Sequence, residues 1–153
     1  MRGWLLGAAL AMLATGSAQA QSPGRLRELR AEAPSHLLPC PQGNRDCSSY
    51  GDFYVLVYPG AMTGEVRNQL QLAELLGDSP EPPIKRNLVD ACAWAIVAAT
   101  ITAHDGPDGR TPSRASADAM TKRCTVRLPP TQSQIARTRA REIMGQINDN
   151  LRR

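Results

Sequence analysis

The clearest helical pattern lies in residues 87–103, where small apolar residues dominate. Apolar positions recur there at steps of three and four, the period of one helix face: Leu88, Ala91, Cys92, Ala95, Ile96, Ala99 and Ala103. Asn87 can cap this helix by accepting a backbone N–H, and Asp90 lies in the first turn, where the helix dipole favours negative charge. Most of these residues are small, and Trp94 on the same helix is the one bulky anchor. The pattern predicts a core helix that a neighbouring helix can approach closely.

A second amphipathic helix is predicted just before it. This helix is expected to begin at Thr63 and to end at Gly77, with an apolar face made of Val66, Leu70, Leu72, Ala73, Leu75 and Leu76. The connector 78–83 contains three prolines and cannot continue a helix. Two amphipathic helices joined by a short connector form an antiparallel hairpin.

Two more helices are predicted towards the carboxyl terminus. Residues 113–124 place Ala117, Met120 and Cys124 on one face, and Pro129 and Pro130 end that helix. Thr131 is expected to begin the last helix with a capping box completed by Gln134. Its apolar positions are Ile135, Ala140, Ile143, Met144, Ile147 and Leu151.

The polar side of the last helix carries Arg137 and Arg141, one turn apart. These two arginines are candidate contacts for an acidic protein partner. The alternative is a charged face that is simply solvated, which is the usual role of such a pattern, and we favour it.

The sequence pattern allows more than one structure for two earlier segments. Residues 52–58 have the aromatic and β-branched content of a strand, but no second strand of similar quality exists to pair with them. A strand, an extended segment or a short helix packed on the core are all consistent with this segment. Residues 21–38 are polar and basic, with a short helix over residues 25–32 as one interpretation. A loosely ordered terminus is the interpretation that we favour.

The amino terminus has the pattern of a secretory signal peptide. Arg2 precedes an apolar run from Trp4 to Ala14, and Ala18-Gln19-Ala20 has the small-residue spacing of a cleavage site. The apolar run is shorter than the roughly 20 residues that a membrane-spanning helix needs. We therefore expect cleavage after Ala20, a periplasmic or secreted protein, and no membrane insertion of the mature chain.

An even number of cysteines in an exported chain favours disulfide bonds. The four cysteines are Cys40, Cys47, Cys92 and Cys124, and three pairings are formally open. A turn-rich segment separates the first two, and the last two lie on predicted neighbouring helices, so these pairs are natural candidates. A zinc site is disfavoured because there is no C-x-x-C spacing and the only histidines are His36 and His104.

Charge and motifs exclude several classes of function. The net charge is +4, and removal of residues 1–20 takes one arginine and leaves +3, a small excess without interleaved aromatic and basic residues. Nucleic acid is therefore not expected as a partner. His104 and Asp105 lie together in a turn-rich loop, which we interpret as solvated rather than catalytic. No nucleophile elbow, zinc-protease motif or phosphate-binding glycine loop is present, so we expect neither catalysis nor a cofactor.

The predicted hairpin resembles one Sel-one-like repeat, an α/α unit related to the tetratricopeptide repeat. The matching positions over 66–103 are Leu72, Ala91, Trp94, Ala98 and Ala99, with Ile84 where the family usually has valine and Asn87 where it has aspartate. Ala73 stands where the family usually has glycine, Leu76 where it has tyrosine, and the glycine-rich turn has become proline-rich. The resemblance implies a core built on Leu72, Leu76, Ala91, Trp94, Ala98 and Ala99, and a protein-binding surface. A solenoid needs at least about three such units, so a single unit implies a small domain.

The sequence therefore predicts an all-α domain of four or five helices, built on an α/α hairpin and stapled by disulfides. Its expected organisation is a signal peptide at 1–20, a polar segment with a cysteine loop at 21–50, and a helical domain at 51–153. The predicted function is a non-catalytic periplasmic module that binds or scaffolds another protein. The alternative is a small immunity or inhibitor protein that blocks an enzyme with a loop, either 40–47 or 104–112.

Overall fold

The computed structural model describes residues 23–79, 82–102 and 114–153. These residues form six α-helices and one short 3₁₀ helix, Ala33–His36. The helices are α1 (Pro23–Glu32), α2 (Arg45–Met62), α3 (Val66–Asp78), α4 (Leu88–Thr102), α5 (Arg114–Val126) and α6 (Pro130–Arg152). The prediction of an all-α, disulfide-stapled fold is confirmed, and the described residues contain six α-helices where four or five were expected. The expected signal peptide with its cleavage site, and the loop 104–112, lie outside the described residues.

Helix α4 lies at the centre of the fold and packs against α3, α5 and α6. It is buried on almost every side, not along the single stripe expected from its sequence, because neighbours cover it from three directions. Helix α3 runs antiparallel to it: Gly77 at the end of α3 lies beside Ala91, and Val66 and Leu70 at its start pack with Ala98. A Cβ atom on Gly77 would lie 3.5 Å from the Ala91 Cβ, so the two helices are in close contact.

Two disulfides link these elements. Cys40 is bonded to Cys47, and Cys92 on α4 is bonded to Cys124 on α5, with Cα–Cα distances of 5.8 and 5.4 Å. The first bond closes a short loop in front of α2. The second joins the central helix to α5, as expected for cysteines on neighbouring helices.

The segment whose structure was open, residues 52–58, is part of helix α2. Its buried residues include Cys47, Gly51, Tyr54, Tyr58 and Ala61, which follow the helical period. The helix begins at Arg45 with Asn44 as its cap, since the Asn44 side chain accepts a hydrogen bond from the backbone N–H of Cys47 at 3.0 Å. The expected boundary between the polar segment and the helical domain, at residue 50, therefore falls inside this helix.

The preference for a loosely ordered amino terminus was wrong for residues 23–32. Helix α1 forms there and packs on α2, with Leu29 fully buried. Arg25 then ties α1 to the end of α6, because its guanidinium donates two hydrogen bonds to the Asn150 side-chain oxygen at 2.7 and 2.9 Å. Tertiary packing therefore orders a helix whose own apolar face is narrow.

Helix boundaries differ from the predictions most clearly at the starts of α3 and α6. Thr63 does not begin α3; it ends α2, and its hydroxyl donates back to the Pro59 carbonyl at 3.0 Å. Helix α6 begins at Pro130, so Thr131 does not cap it, and its buried positions start at Ala136 because Ile135 is 57% exposed. The cap of α4 is confirmed, since the Asn87 side chain accepts from the backbone N–H groups of Val89 and Asp90, each at 3.1 Å.

Candidate functional site

A groove of about 280 Å³ opens where α2, α4 and α6 meet. Six parts of the chain contribute its walls: the end of the 3₁₀ helix, the helices α2, α3, α4 and α6, and the segment that leads into α4. Its lining residues are His36, Tyr54, Tyr58, Met62, Leu76, Lys85, Arg86, Asn87, Asp90, Trp94, Arg139, Ile143 and Gln146. The groove therefore combines an apolar and aromatic floor with a polar, mostly cationic rim.

The aromatic part of the floor belongs to both the core and the groove. Tyr54, Tyr58 and Trp94 are 5–6% exposed and form part of the main hydrophobic cluster. The rings of Tyr54 and Tyr58 stack with centroids 5.7 Å apart, as residues one helical turn apart on α2 can do. Because the core holds these rings from behind, the groove presents a fixed aromatic surface.

One wall is fixed by a hydrogen-bonded contact between α1 and α2. The Tyr58 hydroxyl donates to the Glu32 carboxylate at 2.9 Å, and His36 Nε2 lies 3.5 Å from the same carboxylate oxygen. The His36 ring also lies 5.1 Å from the Tyr58 ring. This contact holds the 3₁₀ helix against α2 and sets the position of His36 at the groove.

Both tyrosines of the floor stay protonated and neutral over the ordinary pH range. Burial is the main cause that raises the pKa of Tyr54 well above its usual value, and the nearby carboxylates of Asp90 and Glu32 add to it. Burial and the hydrogen bond to Glu32 raise the pKa of Tyr58 in the same direction. Their hydroxyls are therefore hydrogen-bond donors.

The rim carries Lys85, Arg86 and Arg139 against a single carboxylate, Asp90. That carboxylate is already engaged: it accepts from the Asn87 side-chain N–H at 2.7 Å and lies 3.4 Å from Arg139 Nε. Arg139 also donates to Glu142 at 2.9 Å, and this hydrogen bond raises the pKa of its guanidinium. The Arg139 side chain is thus held in place and charged at the edge of the groove.

The residues expected to form a core do not converge on one site. Leu72, Ala91, Trp94 and Ala98 are buried, whereas Leu76 and Ala99 are partly exposed. Leu76 and Trp94 line the groove, Ala91 packs with the Cys92–Cys124 disulfide, and Ala98 and Ala99 contact the start of α3 and helix α5.

The two candidate arginines of α6 lie apart from the groove. Arg137 and Arg141 are exposed, and neither lines the groove; Arg141 donates to the Thr138 hydroxyl at 3.1 Å. Their neighbour Arg139 is the α6 arginine at the groove. The sequence pattern predicts Ile135 on the buried side of α6. Arg139 lies one turn later on that side, so it is not among the predicted partner contacts.

Sequence reasoning did not single out Tyr54, Tyr58, Lys85 or Arg86. A signal was available for the tyrosines, because an i, i+4 aromatic pair lies on one face once residues 52–58 are read as a helix. The rim residues had no such signal. Lys85 and Arg86 precede α4 and Arg139 lies on α6, so these cations acquire a common role only through the packing of α2, α4 and α6.

The side chains of the lining define the chemistry available in the groove. Its described lining contains no serine, threonine or cysteine to act as a nucleophile. No group of three or more histidine, cysteine, aspartate and glutamate side chains in the described ranges is placed to hold a metal ion. What the lining does offer is aromatic surface, hydrogen-bond donors and positive charge.

Comparisons with known proteins do not identify the chain. It matches no protein-family model, and neither the curated proteins nor the solved structures give a significant match. Among the described residues, no helix has the length and apolar character needed to cross a membrane.

Proposed function

We propose that this protein is an exported, non-catalytic binding module that holds a segment of a partner protein in the groove between α2, α4 and α6. The observation that carries the proposal is the groove itself, in which Tyr54, Tyr58 and Trp94 form the floor and Arg139 the edge. Tryptophan, tyrosine and arginine are the residues that most often dominate binding energy at protein interfaces.

Export is supported by two independent features. The first 20 residues have the pattern of a cleaved signal, and all four cysteines are bonded in pairs. Disulfides persist in the periplasm and outside the cell, where thiols are not kept reduced. We therefore place the module in such a compartment.

The Sel-one-like resemblance enters the proposal in a reduced form. Helices α3 and α4 are an antiparallel pair like that of the family, but α4 is covered by α5 and α6 as well. In a solenoid each unit contacts mainly its sequential neighbours and leaves a repeated concave face. Here the pair would serve as the centre of a small domain, and binding would fall to the groove beside it.

Site-specific photocrosslinking would test the proposal in the periplasm. A photoreactive amino acid in place of Gln146 would lie in the groove, and the same group in place of Gln134 would lie on the exposed side of the same helix. We expect one discrete crosslinked partner from position 146 and none from position 134. Equal products from both positions, or none from position 146, would contradict the proposal.

A second candidate function is inhibition of an enzyme, and the Cys40–Cys47 loop favours it. Residues 41–46 are all exposed, the loop is closed by a disulfide, and Gly43 adopts a positive φ of 76°. A short, covalently closed and exposed loop can enter an enzyme cleft with little loss of entropy.

The two candidates are separated by where the partner makes contact. For an inhibitor, a photoreactive group at Gln42 should crosslink to the partner, and Gln42→Ala or Arg45→Ala should weaken the complex. For a groove binder, both changes should leave the complex intact.

A further inference from the structure

The charge of the groove indicates what kind of segment it holds. Of its ionisable lining residues, Lys85, Arg86 and Arg139 are permanent cations, and Asp90 is the one carboxylate. Asp90 is occupied by Asn87 and Arg139, so it adds little free negative charge to the groove. Lys85 is exposed and forms no ion pair with any described residue. Arg139 is likewise paired with Asp90 and Glu142, so Lys85 is the lining cation whose charge the described ion pairs leave uncompensated.

The tyrosine, tryptophan, lysine and arginine side chains of the groove also favour an anionic ligand, because they contribute hydrogen-bond donors. Tyr54 contributes a protonated hydroxyl, and no hydrogen bond joins that hydroxyl to a described residue. Lysine and arginine side chains carry donors only, and the indole of Trp94 is likewise a donor. A ligand that satisfies this lining must bring acceptors, and carboxylates form the strongest such bonds with cationic donors.

The floor adds an apolar requirement. Met62, Leu76, Trp94 and Ile143 line the groove together with the tyrosine rings. A purely anionic ligand would leave this apolar surface exposed to water. The favourable free energy of burying it would then not be gained. An apolar side chain flanked by acidic residues would satisfy both the floor and the rim.

Resting on the proposed function, we propose that the groove recognises an acidic segment of the partner protein in which aspartate or glutamate flanks a leucine or an aromatic residue. The rim cations and the Tyr54 hydroxyl bind the carboxylates, and the apolar side chain contacts Trp94. The size of the groove, about 280 Å³, suits one or two side chains. A nucleic acid fits less well, because its backbone needs a track of cations and the mature chain has a net charge of only +3.

Trp94 provides the signal for a binding experiment, since the only other tryptophan, Trp4, lies in the first 20 residues. Mature protein would be titrated with three pools of eight-residue peptides, each with a central leucine or phenylalanine. The flanking residues would be aspartate and glutamate in one pool, asparagine and glutamine in the second, and lysine and arginine in the third. We expect the acidic pool to change Trp94 fluorescence and to bind roughly tenfold more tightly than the amide pool. Raising the salt concentration should weaken that binding.

Matched charge variants test the site. Lys85→Gln with Arg86→Gln removes two positive charges from the rim and should weaken binding of the acidic pool by roughly fivefold, within the range of exposed charge interactions. Arg137→Gln with Arg141→Gln removes the same charge from the far side of α6 and should leave binding unchanged. Circular dichroism would verify that both double variants fold.

Several results would overturn the inference: equal binding of the acidic and amide pools, no binding of the acidic pool, an equal loss in both double variants, or tighter binding of a single-stranded oligonucleotide. These outcomes are separable from failure of the proposed function. A crosslink at position 146 together with indifference to peptide charge would retain the groove and reject its acidic partner. Acidic-pool binding without a crosslink at position 146 would retain the acidic preference of the groove and reject its role in holding a partner protein in the periplasm.

Discussion

Trp94 belongs at once to the core and to the floor of the groove. It is 6% exposed and packs in the main cluster, yet it also lines the groove with Leu76 and Ile143. A side chain in this position couples folding to binding, because the contacts that fix the indole also shape the surface that a partner meets. Its role as an anchor could be predicted from the sequence, since it is the one aromatic residue on a helix rich in alanine.

Trp94→Ala should be strongly destabilising. Truncating a buried tryptophan typically costs about 3–5 kcal/mol, because apolar contacts are lost and a cavity remains. Denaturant unfolding of the oxidised protein would measure this cost as a lower midpoint. As controls, Arg137→Ala and Arg141→Ala should each leave the free energy of unfolding within about 0.5 kcal/mol. An unchanged midpoint combined with lost partner binding would show that Trp94 acts as a binding residue and not as a core residue.

Tyr54 predicts how stability depends on pH. Its pKa in the folded protein is raised above its usual value of 10.0, so the unfolded chain releases this proton first as pH rises. The stability that the buried neutral hydroxyl contributes is therefore present below pH 10 and is lost progressively above it, by up to about 1.4 kcal/mol per pH unit. Urea midpoints measured from pH 8 to about pH 11 should fall accordingly.

Matched tyrosine variants isolate this effect. Tyr54→Phe removes the group that must stay protonated, so the loss of stability above pH 10 should be smaller than in the parent protein. Tyr50→Phe alters a tyrosine on the same helix that is 38% exposed, and it should keep the parent slope. Identical slopes in all three proteins would show that Tyr54 does not control the alkaline transition.

At the scale of elements, helices α3 and α4 could be predicted because their apolar residues keep the helical period over whole turns. Helix α2 could not be assigned in the same way. Its central residues are aromatic and β-branched, and Pro59 and Gly60 lie within its last turn. Packing of α2 on α3 and on the α1 segment decides in favour of a helix, as tertiary contacts commonly override weak local preference.

Each disulfide constrains a different part of the fold: one closes the loop in front of α2, and the other joins α4 to α5. Cys40 and Cys47 are seven residues apart in sequence, and Cys92 and Cys124 are 32 apart. In the chain-entropy account, the short loop contributes about 2.5 kcal/mol and the longer one about 3.7 kcal/mol. Cys92 is also fully buried, so its removal costs packing as well.

Double alanine variants should therefore differ in stability. Cys92→Ala with Cys124→Ala should lower the free energy of unfolding by at least about 1 kcal/mol more than Cys40→Ala with Cys47→Ala. Denaturant unfolding of both variants, beside the parent protein, measures the difference. If the 40–47 variant were the less stable, the loop in front of α2 would contribute more than its length predicts.

At the scale of the whole molecule, the groove is a product of the fold and not of any one segment. Its lining runs from His36 to Gln146 in sequence, and each wall comes from a different element. Periodicity predicts which face of a helix is buried, but it does not predict which helix ends meet. The class of fold and both disulfide partners were therefore accessible from the sequence, whereas Tyr54, Lys85 and Arg139 could not be grouped in advance.

The two disulfides also bear on where the whole molecule folds, because such bonds form and persist in oxidising compartments, which is consistent with an exported protein. We expect the exported chain to begin at Gln21, because Ala18 and Ala20 provide the small residues of a cleavage site. Its intact mass, measured without reduction, should match residues 21–153 less four hydrogen atoms for the two disulfides. Ala18→Phe should block processing, while Ala8→Phe, which keeps the run apolar, should not. A periplasmic chain that retains Met1, or one with free thiols, would contradict export by signal cleavage and oxidative folding.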